Sequence, residues 1–204
     1  SKTNCLAFCK RTTNRQIKPV EVMKIALAQI EPIRGSIEKN LAKHIEWINA
    51  TDADMIVFPE LSLTGYEPSL AKQLATSMDD PRFEPLQQPD KIVCAGMPIQ
   101  THIGMLIFQP GKPRELYTKQ FLHEDELPFF TPGPALPISL HPMALAICYE
   151  ISIPGHAARA HDRGAQIYIA SVAKTAKGVE KAAVELQKIA SRYSMTVLMC
   201  NSLG

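Results

Sequence analysis

The sequence lacks several features that mark whole classes of protein. None of the apolar runs in its 204 residues approaches the roughly 20 residues that a membrane-spanning helix needs, so a membrane role is not expected. It has no glycine-rich phosphate loop and no dinucleotide-binding fingerprint, so nucleotide-dependent chemistry has no support. It also lacks internal repeats and low-complexity tracts, and its 46% hydrophobic and 21% charged content is typical of one globular domain.

Cysteine is sparse and irregularly spaced. The five cysteines are Cys5, Cys9, Cys94, Cys148 and Cys200. An odd number without regular spacing argues against a secreted disulfide framework and predicts a reducing, cytoplasmic location. Cys5 and Cys9 are not followed by a second Cys or His pair with ligand spacing, so we expect no metal site.

Acidic side chains are absent from the first twenty residues, which carry five lysines and arginines. We therefore expect residues 1–22 to form a disordered basic arm, followed by a single domain at residues 23–204. The arm lacks the interleaved aromatic side chains of a base-stacking platform, so nucleic acid is not an expected partner.

Helical and strand-like patterns alternate along residues 23–204. Apolar strand-like runs occur at residues 23–30, 55–58, 91–97, 105–108, 115–117, 143–147, 166–171 and 196–200. Helical patterns occur at residues 37–48, after Ser69, around Ala157 and at residues 179–192. The Pro-Gly-Lys-Pro cluster at 110–113 predicts a hairpin, whereas residues 98–104 read only as a short connection. This alternation predicts an α/β fold with a mostly parallel or mixed sheet covered by helices.

Three reactive side chains come shortly after predicted strands. Glu60, Lys119 and Cys148 each follow a short apolar run, at the carboxyl end of its strand. That edge of an α/β sheet is where ligand-binding groups collect. A carboxylate that accepts the thiol proton, an ammonium that stabilises negative charge and a nucleophilic thiol together predict a cysteine acyl-transfer enzyme.

The order of these residues and the sequence around each resemble the nitrilase superfamily of carbon–nitrogen hydrolases. The stretch MIVFPELSLTGY at 55–66 is very similar to the family's glutamate motif, and AICYE at 146–150 resembles its nucleophile segment. Lys119 stands where the family has its lysine, and the resemblance extends from about Met23 to the C-terminus. It implies an α-β-β-α sandwich of mixed sheets covered by helices. Because family members continue with further strands, it also implies a truncated C-terminal part.

The resemblance implies a role for each residue. Glu60 would deprotonate Cys148, protonate the leaving amine and then activate water, and partial burial would raise its pKa towards neutrality. Lys119, with the backbone N–H of Tyr149, would form the oxyanion site. Tyr66 and Tyr149 are candidates to line the substrate pocket, although packing explains them equally well.

Many members of the family also carry a second glutamate shortly before a Phe-x-Pro-Gly segment. Here FTPG at 130–133 fits that segment, and Glu126 is the best candidate, with Glu124 as a competitor and Asp125 as a solvated neighbour. The second glutamate would orient Lys119 and the substrate amine by hydrogen bonding.

The implied function is a hydrolase that cleaves a non-peptide carbon–nitrogen bond, an amide in the first instance. Cys148 would form a thioester and release ammonia or an amine, and nitrile and carbamoyl substrates would use the same residues. This chemistry requires no metal or organic cofactor. Self-association into a homo-oligomer is implied by the resemblance alone.

The sequence departs from the family pattern in two places. Phe121 replaces a histidine that usually lies two residues after the lysine, and the segment after Cys148 lacks the usual arginine and Pro-Glu. Without that arginine, a substrate with a second carboxylate is less expected. These departures motivate the alternative of a non-catalytic binding or assembly protein that keeps the fold. A papain-like Cys–His hydrolase is disfavoured because no histidine lies in a recognisable signature.

Overall fold

The computed structural model of the chain describes residues 23–135 and 140–203. The basic arm predicted at residues 1–22 lies outside the described residues, as do Cys5 and Cys9. Within the described part of the chain, no helix is both long enough and apolar enough to cross a bilayer.

Two β-sheets form the centre of the fold. In the described residues the first sheet has five strands in chain order: β1 (Ile25–Leu27), β2 (Met55–Val57), β3 (Ile92–Ile99), β4 (His102–Phe108) and β5 (Glu115–Thr118). The pairs β1–β2 and β2–β3 are parallel, and the pairs β3–β4 and β4–β5 are antiparallel. The described part of the second sheet has three parallel strands: β6 (Met143–Ile147), β7 (Ile167–Val172) and β8 (Thr196–Asn201).

Helices cover the outer faces of both sheets. The α-helices are α1 (Ile37–Ala50), α2 (Ala71–Leu74), α3 (Pro154–Asp162) and α4 (Ala176–Tyr193), and the 3-10 helices are Pro68–Leu70, Pro81–Leu86 and Cys148–Ser152. Helix α1 is amphipathic and packs Ile37 and Ile48 with Ile56 and Phe58 of the first sheet. Helices α3 and α4 pack on the second sheet around Tyr168.

The inner faces of the two sheets share one apolar core. Met55 and Val57 of the first sheet pack with Leu145, Ile147 and Ile169 of the second. Side chains alternate along each strand, so one face of each sheet joins this core while the other meets the helices. The predicted α-β-β-α sandwich is therefore confirmed.

Two local predictions differ from the structure. Residues 98–104 are not a mere connection, because β3 and β4 pair up to Ile99 and His102 and leave only Gln100 and Thr101 as the turn. Gln100 has a φ of 52°, a left-handed conformation for which the sequence offers no glycine. The helix expected after Ser69 is only the four-residue α2, preceded by a single 3-10 turn.

Side-chain hydrogen bonds tie the second sheet to the carboxyl end of β2. The Ser171 hydroxyl donates to the Phe58 carbonyl over 2.8 Å, and the Cys200 thiol donates to the Val57 carbonyl over 3.2 Å. These bonds bring the carboxyl ends of β2, β7 and β8 to the same rim of the sandwich.

Candidate active site

The segment that carries Glu60 leaves β2 and docks against β3. Pro59 ends the strand because it has no N–H to donate, and Leu61 adopts a φ of 51°. A Cβ atom at Gly96 would lie 2.3 Å from the Leu61 nitrogen and 2.6 Å from the Pro59 oxygen. Only glycine therefore permits this close approach of two backbones.

Helix α1 holds the same segment from its other side. His44 bonds the Ser62 hydroxyl through Nε2 over 2.9 Å, and its Nδ1 lies 2.7 Å from the Asn40 carbonyl. The Asn40 amide donates to the Leu63 carbonyl, and the Gly96 N–H donates to Ser62 Oγ. Periodicity does not distinguish buried Asn and His side chains on a helix from solvated ones, so the sequence alone does not reveal these supports.

Lys119 lies at the centre of the site. It follows β5 directly and its side chain is fully buried. Its ammonium donates to Glu60 Oε1 over 2.7 Å and to Glu126 Oε1 over 2.6 Å. Burial acts to lower the pKa of Lys119, but the surrounding negative charges outweigh it, so the net pKa is raised and the group stays charged.

Glu126 is buried and multiply hydrogen-bonded, whereas Glu124 and Asp125 are exposed. Besides Lys119, it accepts the Tyr66 hydroxyl over 3.0 Å and the His123 N–H over 2.8 Å. Of the acids in this loop, the structure thus brings Glu126 to Lys119 and leaves Glu124 away from it.

The Phe-x-Pro-Gly segment at residues 130–133 holds the backbone of Lys119. The Gly133 N–H donates to the Lys119 carbonyl over 2.7 Å. A Cβ atom at position 133 would lie 2.0 Å from the Thr118 hydroxyl, so this contact also requires glycine.

Cys148 occupies a sharp turn between β6 and a 3-10 helix. Its φ of 46° is left-handed, an uncommon conformation for a residue with a side chain. Burial, and next the charge of Glu60, raise the pKa of the thiol to about 12, although the Lys119 and Lys174 ammonium groups oppose the rise. The resting residue is therefore a thiol, and it needs a base before it can act as a nucleophile.

Glu60 offers one carboxylate oxygen for that purpose. Its Oε1 atom accepts from Lys119, whereas Oε2 is buried and has no hydrogen-bond partner among the described residues. Burial raises the pKa of Glu60, the Lys119 charge lowers it, and the nearby Cys148 thiol also lowers it. A buried carboxylate with an open oxygen beside a thiol is arranged to accept its proton.

Glu150 accepts hydrogen bonds from the backbone next to Lys119 and next to Cys148. It accepts the Gln120 N–H over 2.6 Å and the Ile147 N–H over 2.7 Å, next to Lys119 and Cys148 respectively. It also accepts the Tyr117 hydroxyl over 2.7 Å. Burial raises the pKa of Glu150 to about 7 despite these bonds. In the sequence, Glu150 was only part of the nucleophile motif, and its role depends on distant partners that no local pattern reveals.

The remaining residues from the sequence analysis lie around the site. Tyr66 is half-buried and reaches Glu126, while Tyr149 packs its ring edge-on against His123 at 5.2 Å. Phe121, which replaces the usual histidine, packs edge-on against His156 and lies under the Arg159 guanidinium.

The carboxyl ends of β7 and β8 complete the rim. Ser171 lies opposite Ile147, so the residues after Val172 run beside Cys148. The Ala173 backbone acts to lower the pKa of the Cys148 thiol, and the Asn201 side chain makes two hydrogen bonds to the backbone of Lys174. No group of three or more His, Cys, Asp or Glu side chains in residues 23–135 and 140–203 is arranged to hold a metal ion.

The sequence is similar to a known family and to several known proteins. The profile of the carbon–nitrogen hydrolase family matches residues 24–204. A glutamine-dependent NAD(+) synthetase of Acinetobacter baylyi is 32% identical over 130 residues, which are 54% of this chain and 23% of that protein. A Pseudomonas protegens protein named a hydrolase in the pqqF 5′ region is 28% identical over 175 residues, 77% of this chain and 61% of that protein. The chain thus spans less than two thirds of each relative.

The fold is similar to that of solved structures. The cysteine-to-alanine mutant of a Nesterenkonia AN1 amidase from the nitrilase superfamily matches with a TM-score of 0.76 at 22% identity. The match covers 89% of this chain and 77% of the amidase. The amidase shares the fold, and the family profile extends over almost all of the described residues. The chain therefore belongs to the carbon–nitrogen hydrolase family.

Proposed function

We propose that the protein is an amidase-like hydrolase in which Glu60, Lys119 and Cys148 are catalytic and Glu126 positions Lys119. The observation that carries the proposal is the fully buried Lys119 ammonium held between two carboxylates at the rim where Cys148 begins its turn. A buried charge cluster beside a cysteine with a left-handed backbone costs stability, and such costs are typical of functional sites.

Acylation begins with proton transfer from Cys148 to the open oxygen of Glu60. The charge of Glu60 is one reason why the thiol holds its proton at rest. Once Glu60 is neutral, that repulsion disappears and the thiolate attacks the amide carbon. The Lys119 ammonium and the Tyr149 N–H stabilise the oxyanion, and Glu60 returns its proton to the leaving nitrogen.

Hydrolysis of the thioester reuses the same groups. Glu60 takes a proton from water, the hydroxide attacks the acyl carbon, and the sulfur leaves as thiolate and recovers a proton from Glu60. Lys119 stays charged throughout, because Glu126 still balances it when Glu60 is protonated. Tyr66 and Tyr149 would border the acyl group in this scheme.

An amide is favoured over a nitrile or a carbamoyl amine by the relatives. One similar protein is a glutamine-dependent synthetase and another is an amidase, and both names refer to amide chemistry. The substrate is therefore proposed to be a small amide.

The test is ammonia release from a panel of aliphatic amides, carbamoyl amines and nitriles. We expect release from amides that disappears in Cys148→Ala, with circular dichroism confirming that the variant is folded. Release that persists in Cys148→Ala would contradict the mechanism. A folded wild-type protein that neither releases ammonia nor forms an acyl-enzyme detectable by mass spectrometry would favour the non-catalytic alternative.

A cytoplasmic location and self-association also belong to the proposal. The location is supported by the free thiols of Cys94, Cys148 and Cys200, which a reducing compartment preserves. Light scattering after gel filtration tests self-association, and a monomeric mass would contradict it.

A further inference from the structure

Lys174 lies close to the proposed nucleophile. It is the second residue after β7, and Ser171 of that strand pairs with Ile147, the residue before Cys148. In keeping with this placement, the charge of Lys174 acts to lower the pKa of the Cys148 thiol. The strand register therefore places Lys174 on the rim beside Cys148, where a substrate would react.

The backbone of Lys174 is fixed in that place. Asn201 Oδ1 accepts the Lys174 N–H over 2.8 Å, and Asn201 Nδ2 donates to the Lys174 carbonyl over 3.1 Å. The Ser202 N–H donates to the Val172 carbonyl over 3.0 Å. Two bonds from one side chain to one residue hold the start of the Lys174 side chain at a set position on the rim.

The charge of Lys174 has no protein partner in the described residues. The Lys119 ammonium is paired with two carboxylates. The Lys91 ammonium donates hydrogen bonds to two backbone carbonyls at the end of α1, those of Ile48 and Thr51. Lys174 is half-buried, yet its ammonium makes no ion pair or side-chain hydrogen bond with residues 23–135 or 140–203. An ammonium on this rim that pairs with no carboxylate of the described residues can pair with an anionic group that a ligand brings.

We propose that Lys174 binds a negatively charged group of the substrate, so that the physiological substrate is an amide that also carries a carboxylate. This inference rests on the proposed function and narrows its substrate class. The sequence lacks the arginine that usually follows the cysteine, and for that reason a substrate with a second carboxylate was less expected. Lys174, just after β7, would supply the positive charge that binds such a carboxylate instead. Lys174 then determines specificity and is not required for the chemistry at the amide.

Alkylation of Cys148 tests the subsite without knowledge of the substrate. Iodoacetate and iodoacetamide differ by a carboxylate in place of a neutral amide. With either reagent the sulfur attacks the methylene carbon, a thioether forms, iodide leaves, and the thiol proton passes to Glu60 and then to solvent. Rates are measured by mass spectrometry of the peptide that contains Cys148, which separates it from the other cysteines.

We expect the ratio of the iodoacetate rate to the iodoacetamide rate to fall about tenfold in Lys174→Met, as expected for loss of one partly shielded charge pair. Lys174→Arg should keep most of the ratio. The matched control is Lys177→Met, which removes an exposed charge from the first turn of α4 and should leave the ratio unchanged.

A ratio that is the same in wild type and Lys174→Met, with rapid iodoacetamide labelling in both, would overturn the anionic subsite and leave the proposed function intact. Failure of both reagents to label Cys148 in the folded wild type would overturn both. With an active amide in hand, Lys174→Met should raise KM for an amide with a terminal carboxylate about tenfold more than for its neutral analogue, with kcat little changed.

Discussion

At the scale of single residues, the main feature of the site is a protonated Cys148 thiol beside the Glu60 carboxylate. The pKa of Cys148 is raised to about 12, so the resting thiol is protonated, and the pKa of Glu60 is also raised, which makes its carboxylate a stronger base. In the proposed mechanism the pair would exchange one proton within a buried cluster whose total charge does not change. Such an exchange avoids the cost of creating a new buried charge.

This pairing predicts different effects of Glu60→Gln on two reactions of Cys148. Amide hydrolysis should fall at least about 100-fold, because the leaving nitrogen and the water both need proton transfer through this position. Alkylation by iodoacetamide should change less than about tenfold, since the variant loses a base but also loses the charge that raises the thiol pKa.

Both rates are measured on the same preparation, with ammonia release for hydrolysis and peptide mapping for alkylation. An equal loss in the two reactions would mean that Glu60 is needed only to form the thiolate. If Glu60→Gln hydrolysed the amide at the wild-type rate, Glu60 would have no role in the mechanism.

At the scale of elements, each reactive residue follows a strand whose position the sequence predicted well. The apolar run before Glu60, the hairpin before Lys119 and the strand before Cys148 all appear, because short buried strands have a strong local signal. The family resemblance then supplied Glu126, which composition alone would have left among three consecutive acids.

The parts that the sequence did not predict depend on long-range contacts. The β3–β4 turn has no glycine or Asn-Gly signal, and the supports of the site come from His44, Glu150 and Asn201, which contact segments far along the chain. No periodicity encodes such partners. Their roles follow only when the sheets are assembled.

The contact between β3 and the Glu60 segment predicts that Gly96→Ala impairs the site. Because the new Cβ would meet backbone atoms that cannot rotate away, the segment must shift and carry Glu60 with it. We expect hydrolysis to fall at least about tenfold and the free energy of unfolding to fall by about 1–3 kcal/mol.

Urea unfolding and ammonia release measure these two effects. Gly155→Ala is the matched control, since its nearest neighbour would be the flexible end of Arg159 at 3.5 Å and the residue lies in helix α3. Wild-type activity and stability in Gly96→Ala would contradict the inferred close approach.

At the scale of the whole molecule, the sandwich buries several titratable groups between or against its sheets. His44 and His156 are held neutral, and burial lowers the pKa of each to about 4. Burial raises the pKa of Glu150 to about 7. As the pH falls, the two histidines lower the free energy of unfolding and the glutamate raises it. The dependence of stability on pH is the sum of these contributions.

For His44 the direction is fixed by its lowered pKa. Between pH 6.5 and about 4 the unfolded chain binds a proton there that the folded protein does not, so stability falls as the pH falls. At pH 5 this site should cost about 2 kcal/mol relative to pH 7. Glu150 acts with the opposite sign, because its folded form holds a proton between about pH 4.5 and 7.

His44→Gln isolates the histidine contribution, because glutamine does not titrate. Urea unfolding of both proteins at pH 7 and pH 5 should show that the variant loses about 2 kcal/mol less than wild type between the two values. The same loss in both proteins would mean that His44 does not titrate in this range on unfolding.

The glycine in β3 also bears on how this site can vary in evolution. Since the atoms nearest to a Cβ at Gly96 belong to the main chain, no substitution in a neighbouring side chain could make room for a larger residue. Related sequences that keep Glu60 in this place are therefore expected to keep glycine here. Position 95 should drift more freely, because a side chain that packs against other side chains can be accommodated by changes in its neighbours.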